Sequence, residues 1–332
     1  MLTPGLGAAR VPPESEVSAQ SVSPSLFIAA LLCPAAINKN TKPQPLAITP
    51  AQFSLVAPSV FPPSPRGFMK KFLLIDGMST AYRAFYAIRG LTTSRGQPTN
   101  AVYGFIRMLK KILKEYGPDH VAVAGDSRGP TFRHQRFKDY KATRKPMPDD
   151  LSSQIPLIRR AAEGYGIPWI AAPGYEADDI LATLARRAAE AGAEVYILTG
   201  DKDLLQMVND RIRVISPHGE GTLFDAPAVR ETYGVDPERI PEILALMGDA
   251  IDNVPGVPGV GEKTAVALIR DHGTLEGVLA HAAEVKNARV RESLTRFADQ
   301  ARVSRELTRL DTAVPRPADL EELARREPSW AA

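Results

Sequence analysis

The 332-residue chain has a single cysteine, Cys33, and only five histidines. One cysteine cannot form an internal disulfide or a cysteine-rich zinc site, and the histidines show no HExxH spacing. The sequence also lacks the GxxxxGK[ST] loop of P-loop nucleotide hydrolases. These absences exclude the common zinc and P-loop sites, and the scarcity of cysteine favours the reducing cytoplasm as the compartment.

No apolar run is long enough to span a membrane. The formal net charge is only +3, so the overall charge does not indicate a nucleic-acid partner. The run Ser25–Leu32 resembles the apolar core of an export signal, but only Arg10 supplies positive charge ahead of it. An export signal therefore stays open as one interpretation. The other is that translation begins at Met69, where ordered patterning starts. We predict no membrane association.

Residues 1–68 differ in composition from the rest of the chain, because they hold 12 of its 29 prolines and few charges. Such a segment cannot form regular elements, so we predict a disordered extension. A chain that begins at Met69 is expected to fold and to keep its activity.

Beyond Met69, short buried strands alternate with helices, one of them predicted from Asp149 to Tyr165. This alternation predicts an α/β fold with a mainly parallel sheet between helical layers. Three of the predicted strands end in an aspartate: Asp76, Asp126 and Asp201. The carboxyl ends of parallel strands are where ligands bind in such sheets.

Further acidic residues occur in clusters. Glu176, Asp178 and Asp179 fall in the first turn of a predicted helix, where one or two carboxylates would serve as ordinary caps. Three within four residues repel one another, and two more pairs follow at Asp201-Lys202-Asp203 and Asp249–Asp252. Because hard cations take oxygen ligands, the clusters favour a Mg²⁺ site.

A basic stretch follows Asp126. Between Ser127 and Pro146 the only acid is Asp139, and aromatic residues are interleaved with the cations Arg128, Arg133, Arg136, Lys138, Lys141, Arg144 and Lys145. Such alternation suits a phosphate backbone with stacked bases, whereas a charge run by itself is more often a solvated face. Its place directly after a candidate metal ligand favours binding.

A glycine-rich hairpin separates two predicted helices between Val254 and Ala265, with Gly256, Gly259, Gly261 and Lys263 in it. An ordinary turn between helices needs one glycine. Three at this spacing, beside a lysine and a helix N-terminus, favour a grip on phosphate by backbone N–H groups.

Taken in order, these motifs resemble a known family. The motifs are Asp76-Gly77, Thr131-Phe132-Arg133-His134, Tyr140-Lys141-Ala142-Thr143-Arg144, Gly174–Asp179, Thr199–Asp203 and Gly248-Asp249 through Lys263-Thr264. Over residues 69–315 the chain is similar to the 5′–3′ exonuclease, or flap endonuclease, domain at the N-terminus of bacterial DNA polymerase I.

The resemblance implies a PIN-like α/β fold with a helical arch and a helix-hairpin-helix lobe. It implies a catalytic domain at 69–239 and a DNA-binding subdomain at 240–315, which leave the disordered extension at 1–68 and a tail at 316–332. The arch would be the stretch Arg128–Lys145.

The resemblance also implies functional residues. Around a first metal it places Asp126, Glu176, Asp178 and Asp179, and around a second Asp201, Asp203, Asp249 and Asp252, with Asp76 adjoining. It places Arg133, Lys141 and Arg144 near the scissile phosphate. For substrate binding it implies Tyr82, Arg83, Tyr86, Tyr140, Gly256, Gly259, Gly261 and Lys263. The implied ions are two Mg²⁺, with Mn²⁺ as the alternative, and K⁺ at the hairpin.

The implied function is metal-dependent 5′–3′ exonuclease and flap endonuclease activity on DNA with 5′ ends, flaps or nicks in replication and repair, by a monomer working beside a DNA polymerase. The alternatives are a PIN-type ribonuclease and a non-catalytic module that binds branched DNA. The chain departs from the family pattern at Ala250-Ile251, where small polar residues are usual, and at Ala124-Gly125 before Asp126. No polymerase follows up to Ala332, which predicts a stand-alone nuclease.

Overall fold

A six-stranded sheet forms the centre of the protein, with the strand order β3-β2-β1-β4-β5-β6. The computed structural model describes residues 70–127, 129–217 and 221–329, which all belong to one compact unit. The strands are β1 (Lys71–Asp76), β2 (His120–Ala124), β3 (Trp169–Ile170), β4 (Glu194–Leu198), β5 (Ile212–Ser216) and β6 (Thr222–Phe224). The predicted extension and the predicted start at Met69 lie outside the described residues.

Strand β1 lies between β2 and β4, and both pairings are parallel. Leu73, Leu74 and Ile75 are at most 1% exposed, because helices cover both faces of the sheet. Only β6 runs antiparallel, as the partner of β5. The predicted mainly parallel α/β sheet is confirmed.

Helices connect the strands and continue beyond them. They are α1 (Gly77–Ala87), α2 (Asn100–Tyr116), α3 (Phe132–Arg136), α4 (Asp149–Ser152), α5 (Ile155–Gly164), α6 (Ala177–Glu190), α7 (Ala226–Tyr233), α8 (Ile240–Met247), α9 (Glu262–His272), α10 (Leu275–Ala280), α11 (Ala288–Arg296) and α12 (Ala298–Thr308). Short 3₁₀ turns occur at Lys202–Met207, Pro237–Arg239, Ala282–Glu284 and Leu320–Leu323. Within the described ranges, every helix is too short or too polar to cross a bilayer.

Helix α6 buries the face that its sequence spacing predicts. Ile180, Leu181, Leu184 and Ala185 are fully buried against the sheet. The same hydrophobic core continues into α8 and α9, where Ile243 and Ile269 belong to it. The predicted boundary between 239 and 240 thus coincides with the first residue of α8, although the core is continuous across it.

The helix predicted from Asp149 to Tyr165 is divided into α4 and α5. Pro156 lies in the first turn of α5, where its missing N–H needs no partner, so a new helix begins there. The fully buried side chain of Gln154, between the two helices, accepts hydrogen bonds from the N–H groups of Ala101 and Val102 at the start of α2.

The predicted helical arch requires a correction. In the described part of the stretch only α3 is helical, and turns follow it from Lys138 to Thr143. Lys141 has a φ of 59°, in the left-handed region, and its N–H donates to the carbonyl of Asp252 at 2.9 Å. A helix cannot continue through that conformation. Arg128 lies outside the described residues.

Candidate active site

Three neighbouring parallel strands deliver carboxylates to one edge of the sheet. Asp76 is the last residue of β1, Asp126 follows β2 and Asp201 follows β4. Together with Asp178 from α6 they line a cleft of about 430 Å³. The three strand-end aspartates therefore come together as the sequence predicts, and Asp178 joins them, with Tyr82, Lys141 and Arg144 on the same cleft.

Asp76 lies deepest in this group, at 5% exposure. Its carboxylate accepts hydrogen bonds from the Ser79 N–H at 2.9 Å and from the Thr199 hydroxyl at 2.8 Å. Burial, with smaller contributions from Asp201 and Asp126, raises the pKa of Asp76 to about 6. Sequence reasoning missed Ser79 and Thr199 as its partners, although Thr199 belongs to a motif that was recognised.

The N-terminus of α6 contributes Glu176 as its cap residue and Asp178 in its first turn. Asp126 accepts the N–H of Ala177 at 2.9 Å, so the strand-end carboxylate also satisfies a helix N-terminus. Burial raises the pKa of Asp178 well above its ordinary value, and the charges of Asp201 and Asp76 add to the effect. The carboxylates are therefore close enough to oppose one another's ionisation.

Cations of the basic stretch hold Glu176 and Asp252. Lys141 Nζ donates to Glu176 Oε2 at 2.8 Å and lies 3.7 Å from Asp252 Oδ2. Arg144 Nε donates to Asp252 Oδ1 at 3.1 Å. Burial works against the charge of Lys141, but the carboxylates of Glu176 and Asp252 outweigh it and raise its pKa. Two predicted catalytic cations thus neutralise two predicted metal ligands.

Tyr140 has a different place from the one predicted. Its side chain is 4% exposed, and its hydroxyl lies 3.1 Å from Glu176 Oε2 and 3.0 Å from Asp252 Oδ2. Burial and the two negative charges raise the pKa of Tyr140, so the hydroxyl stays protonated and donates to one carboxylate at a time. A buried ring cannot stack on a base, so the prediction that Tyr140 binds substrate is corrected to a bridge between two carboxylates.

Arg133 and Asp179 also require correction. Arg133 is 2% exposed, and its guanidinium donates to both oxygens of Asp179, at 2.7 and 2.8 Å. It donates further to the carbonyls of Leu307 and Arg309. Asp179 is fully buried and also accepts the N–H groups of Glu176 and Asp311. Neither residue is available to a phosphate or a metal, so this pair joins α3, α6 and the end of α12.

The second predicted cluster lies beyond β4. Burial raises the pKa of Asp203 well above its ordinary value, and the charges of Asp201, Asp249 and Asp252 reinforce this. The Oδ1 atom of Asp203 is buried and has no hydrogen-bond partner among the described residues. Lys202 Nζ lies 3.2 Å from Asp249 Oδ2 and offsets part of the negative charge.

The acidic side chains lie close to one another but do not converge on a single point. Among the described residues, no three Asp, Glu, His or Cys side chains are placed to hold one ion together. Mutual repulsion explains the spacing, because carboxylates without a cation between them separate or bind nearby lysines and arginines. Mg²⁺ commonly uses only one or two protein carboxylates besides waters and substrate phosphates, so such spacing suits it.

Of the residues predicted to handle a 5′ end, Tyr82 lines the cleft. Tyr86 is 63% exposed, and its ring stacks on that of Tyr82 at a centroid distance of 6.4 Å. Arg83 lines a different cavity, with Arg107 and Lys111, so the structure does not place it with the other two.

The residues of the glycine-rich hairpin also differ in their positions, since one is buried and three are exposed. Gly256 is buried with a φ of 60°, its N–H donates to Ser304 Oγ, and an added Cβ would lie 2.3 Å from the backbone of Gly248. The prediction that Gly256 contacts a phosphate is therefore corrected, because the residue is needed for packing. Gly259, Gly261 and Lys263 are exposed, and among the described residues no side chain caps the N-terminus of α9.

Two family models match the chain. One describes the N-terminal resolvase-like domain of a 5′–3′ exonuclease and covers residues 71–234. The other describes the C-terminal SAM fold of a 5′–3′ exonuclease and covers residues 235–331. Together they account for the described sheet and for the helical region that follows it.

Curated relatives are DNA polymerases. The chain is 46% identical over 250 residues to the thermostable DNA polymerase I of Thermus thermophilus, covering 75% of this chain and 30% of that protein. It is 45% identical over 258 residues to DNA polymerase I of Bacillus caldotenax, covering 77% of this chain and 29% of that one. The chain thus spans about 30% of the length of the relatives it matches.

Solved structures share the fold. A T5 5′-exonuclease with bound divalent zinc ions superposes with a TM-score of 0.64 and 19% identity, covering 76% of this chain and 96% of the other. The catalytic core of Rad2 in complex with a DNA substrate gives a TM-score of 0.51 at 18% identity, covering 78% and 84%. At these identities the likeness establishes the fold.

Proposed function

The chain belongs to the 5′–3′ exonuclease family, and from that premise we propose that it hydrolyses phosphodiester bonds of DNA at 5′ ends, flaps or nicks. The observation that carries the proposal is the cleft in which Asp76, Asp126, Asp178 and Asp201 meet the cations Lys141 and Arg144. Fold relatives with divalent metal ions and with a DNA substrate support it.

Two Mg²⁺ ions, with Mn²⁺ as the alternative, suit the carboxylates in and around the cleft. Asp76, Asp126, Glu176 and Asp178 would hold one ion, and Asp201, Asp203, Asp249 and Asp252 the other. The buried Oδ1 of Asp203, which has no hydrogen-bond partner among the described residues, and the raised pKa values of Asp76 and Asp178 support this assignment, because a bound cation would offset all three features. Bound ions would supply Lewis acidity and an activated water.

The chain's own cations would orient the substrate. Lys141 and Arg144 lie on the wall of the cleft beside the carboxylates, where a phosphate between them would exchange the present ion pairs for phosphate contacts. Preorganised cations at such a place stabilise charge that develops in the transition state. Tyr140 stays buried and would keep Glu176 and Asp252 oriented when the cations turn to the substrate.

The hairpin would hold the duplex beside the cleaved strand. The uncapped N-terminus of α9 offers backbone N–H groups and a partial positive charge next to Gly261 and Lys263. Contacts of this kind are to phosphates, so they would position any sequence equally. We propose K⁺ at this turn as an additional ion and a DNA polymerase as the functional partner.

The test is cleavage of a 5′-labelled flap duplex compared with a matched single-stranded RNA, each with and without Mg²⁺. The expected result is Mg²⁺-dependent cleavage of the flap with little cleavage of the RNA. Preferred cleavage of RNA would favour a PIN-type ribonuclease. Binding of the flap without any cleavage would favour a non-catalytic module, and either outcome overturns the proposal.

Lys141→Ala is expected to slow cleavage about 100-fold while weakening DNA binding only slightly, because it removes a charge that acts in the transition state. The measurement is single-turnover rate at saturating enzyme, with affinity determined separately in Ca²⁺. Lys138→Ala, an exposed cation of the same stretch, is the matched control and should change the rate little. An unchanged rate in Lys141→Ala would reduce Lys141 to a positioning contact.

Gly261→Val is expected to weaken duplex binding several-fold and to leave cleavage of short single strands largely intact. Gly261 has a φ of −95°, and an added Cβ meets no atom within 4 Å, so the fold tolerates valine. The valine side chain would instead keep a phosphate away from the backbone. Because valine is a poorer N-cap residue than glycine, the variant would also lose about 1 kcal/mol of stability. Equal losses on duplex and single strand would indicate a misfolded lobe instead.

Metal-free protein is expected to lose stability as the pH rises from 4 to 7. For Asp76 the pKa is 3.8 unfolded and about 6 folded, so in this window the folded state keeps a proton that the unfolded state has lost. The penalty is complete near pH 7 and amounts to about 3 kcal/mol. Urea unfolding in EDTA should show it, and Asp76→Asn should make the dependence shallower, while Asp178 and Asp203, whose pKa values are also raised, keep part of it. A parallel profile in the variant would contradict the assignment.

A further inference from the structure

The residues that line the cleft fall into three chemical groups. These are the acids, the cations Lys141, Arg144 and Lys145, which we call the cationic wall, and a set of apolar residues, which we call the apolar wall. The apolar wall consists of Met78, Tyr82, Met147 and Ile251. The acids and the cationic wall have a role in the proposed function, whereas in the apolar wall only Tyr82 has a predicted role, at the 5′ end.

Ile251 is the most exposed of the large hydrophobic residues recorded on the described surface, at 69%. A single exposed isoleucine needs no explanation by itself. Here, however, the backbone of the residue is held in place, because its N–H donates to Asp249 Oδ1 at 2.8 Å. The next residue, Asp252, is held by Arg144 and Lys141. The backbone that carries this apolar side chain is therefore held, and the residue lines the same cleft as the proposed phosphate-binding cations.

A nucleotide likewise combines a charged phosphate with apolar surface, which is the face of its base. When a phosphate lies at Lys141 and Arg144, the sugar and the base of the same nucleotide lie within a few ångströms of these cations. A paired base within a duplex has both faces covered by its neighbours, whereas an unpaired base has a free face to offer. Covering Ile251 with that face would remove apolar surface of both partners from water.

We propose that Ile251 is a specificity-determining residue that contacts the base of the unpaired nucleotide adjoining the cleaved bond. The inference rests on the proposed function, since it assumes that the cleft binds a DNA strand. It assigns the apolar wall to the base and the cationic wall to the phosphate. Ile251 would therefore favour a strand that carries a base at this position over the same strand without one.

The test is a cycle of two enzymes and two substrates. Flap duplexes are made with a normal nucleotide or with an abasic tetrahydrofuran on either side of the cleaved bond. Wild-type kcat/KM should fall about 10-fold on the abasic substrate, and Ile251→Ser should fall about 10-fold on the normal one. On the abasic substrate the two enzymes should be equal.

Two further variants complete the design. Ile251→Leu keeps the apolar surface and should behave like the wild type on both substrates. Leu223→Ser removes another exposed hydrophobic residue, on β6 and outside the lining of the cleft, and should also leave both rates unchanged. Thermal unfolding of each variant shows whether the fold is intact.

Equal losses of Ile251→Ser on both substrates would overturn the proposal, because the residue would then contact the sugar or merely support the turn. No loss on either substrate would overturn it too. Failure of the wild-type chain to cleave any flap refutes the proposed function instead. In that case the same cycle measured as DNA affinity in Ca²⁺ still decides whether Ile251 and the base interact.

Discussion

Arg133→Met is expected to lower the free energy of unfolding by about 3–5 kcal/mol, which is a large part of the stability of a typical domain. The substitution leaves the fully buried Asp179 without the guanidinium that binds both its oxygens. Breaking one partner of a buried pair is costly because the remaining charge cannot reach water. Urea unfolding in EDTA, monitored by circular dichroism, measures the change.

A neighbouring pair provides the matched control. Arg136 belongs to the same short helix and pairs with Glu306, but both side chains are about half exposed. Arg136→Met should therefore lower the free energy of unfolding far less than Arg133→Met does, because solvent screens an exposed pair. The double variant Arg133→Met with Asp179→Leu should recover much of the loss, since no buried charge remains. Equal, small losses in Arg133→Met and Arg136→Met would contradict the structural role of Arg133.

The strand-end aspartates could be predicted from the sequence because they follow from short-range rules. Three neighbouring buried strands end in or just before an acid, and parallel strands place their carboxyl ends at one edge, so Asp76, Asp126 and Asp201 had to converge. The acidic turn of α6 follows equally from local patterning. In all these cases the neighbours that matter are adjacent in sequence or are related by the sheet.

Arg133, Asp179 and Tyr140 could not be assigned correctly in that way. Arg133 binds Asp179, 46 residues along the chain, and the carbonyl of Leu307, 174 residues along it. A basic residue that pairs with a buried acid and one that waits for a phosphate look alike in a charge pattern. Tyr140 likewise reaches Glu176 and Asp252, and only the fold shows that its ring is covered.

Asp178→Ala and Asp203→Ala are each expected to reduce Mg²⁺-dependent flap cleavage by about a thousandfold or more. Lewis-acid stabilisation is worth several kcal/mol, and each 1.4 kcal/mol is a tenfold change in rate. DNA binding in Ca²⁺ or EDTA should stay the same or strengthen, because a negative charge near the phosphate path is gone. Asp271→Ala, which removes an exposed acid at the end of α9, is the control for net charge.

Stability separates this result from simple damage to the fold. In EDTA both variants should unfold at a higher temperature than the wild type, because the charges of Asp201 and its neighbours oppose ionisation of Asp178 and Asp203. Added Mg²⁺ should stabilise the wild type more than either variant. If both variants cleave the flap at the wild-type rate, the acids are helix caps and the two-metal proposal is wrong. If they lose cleavage and melting temperature together in EDTA, the loss reflects misfolding.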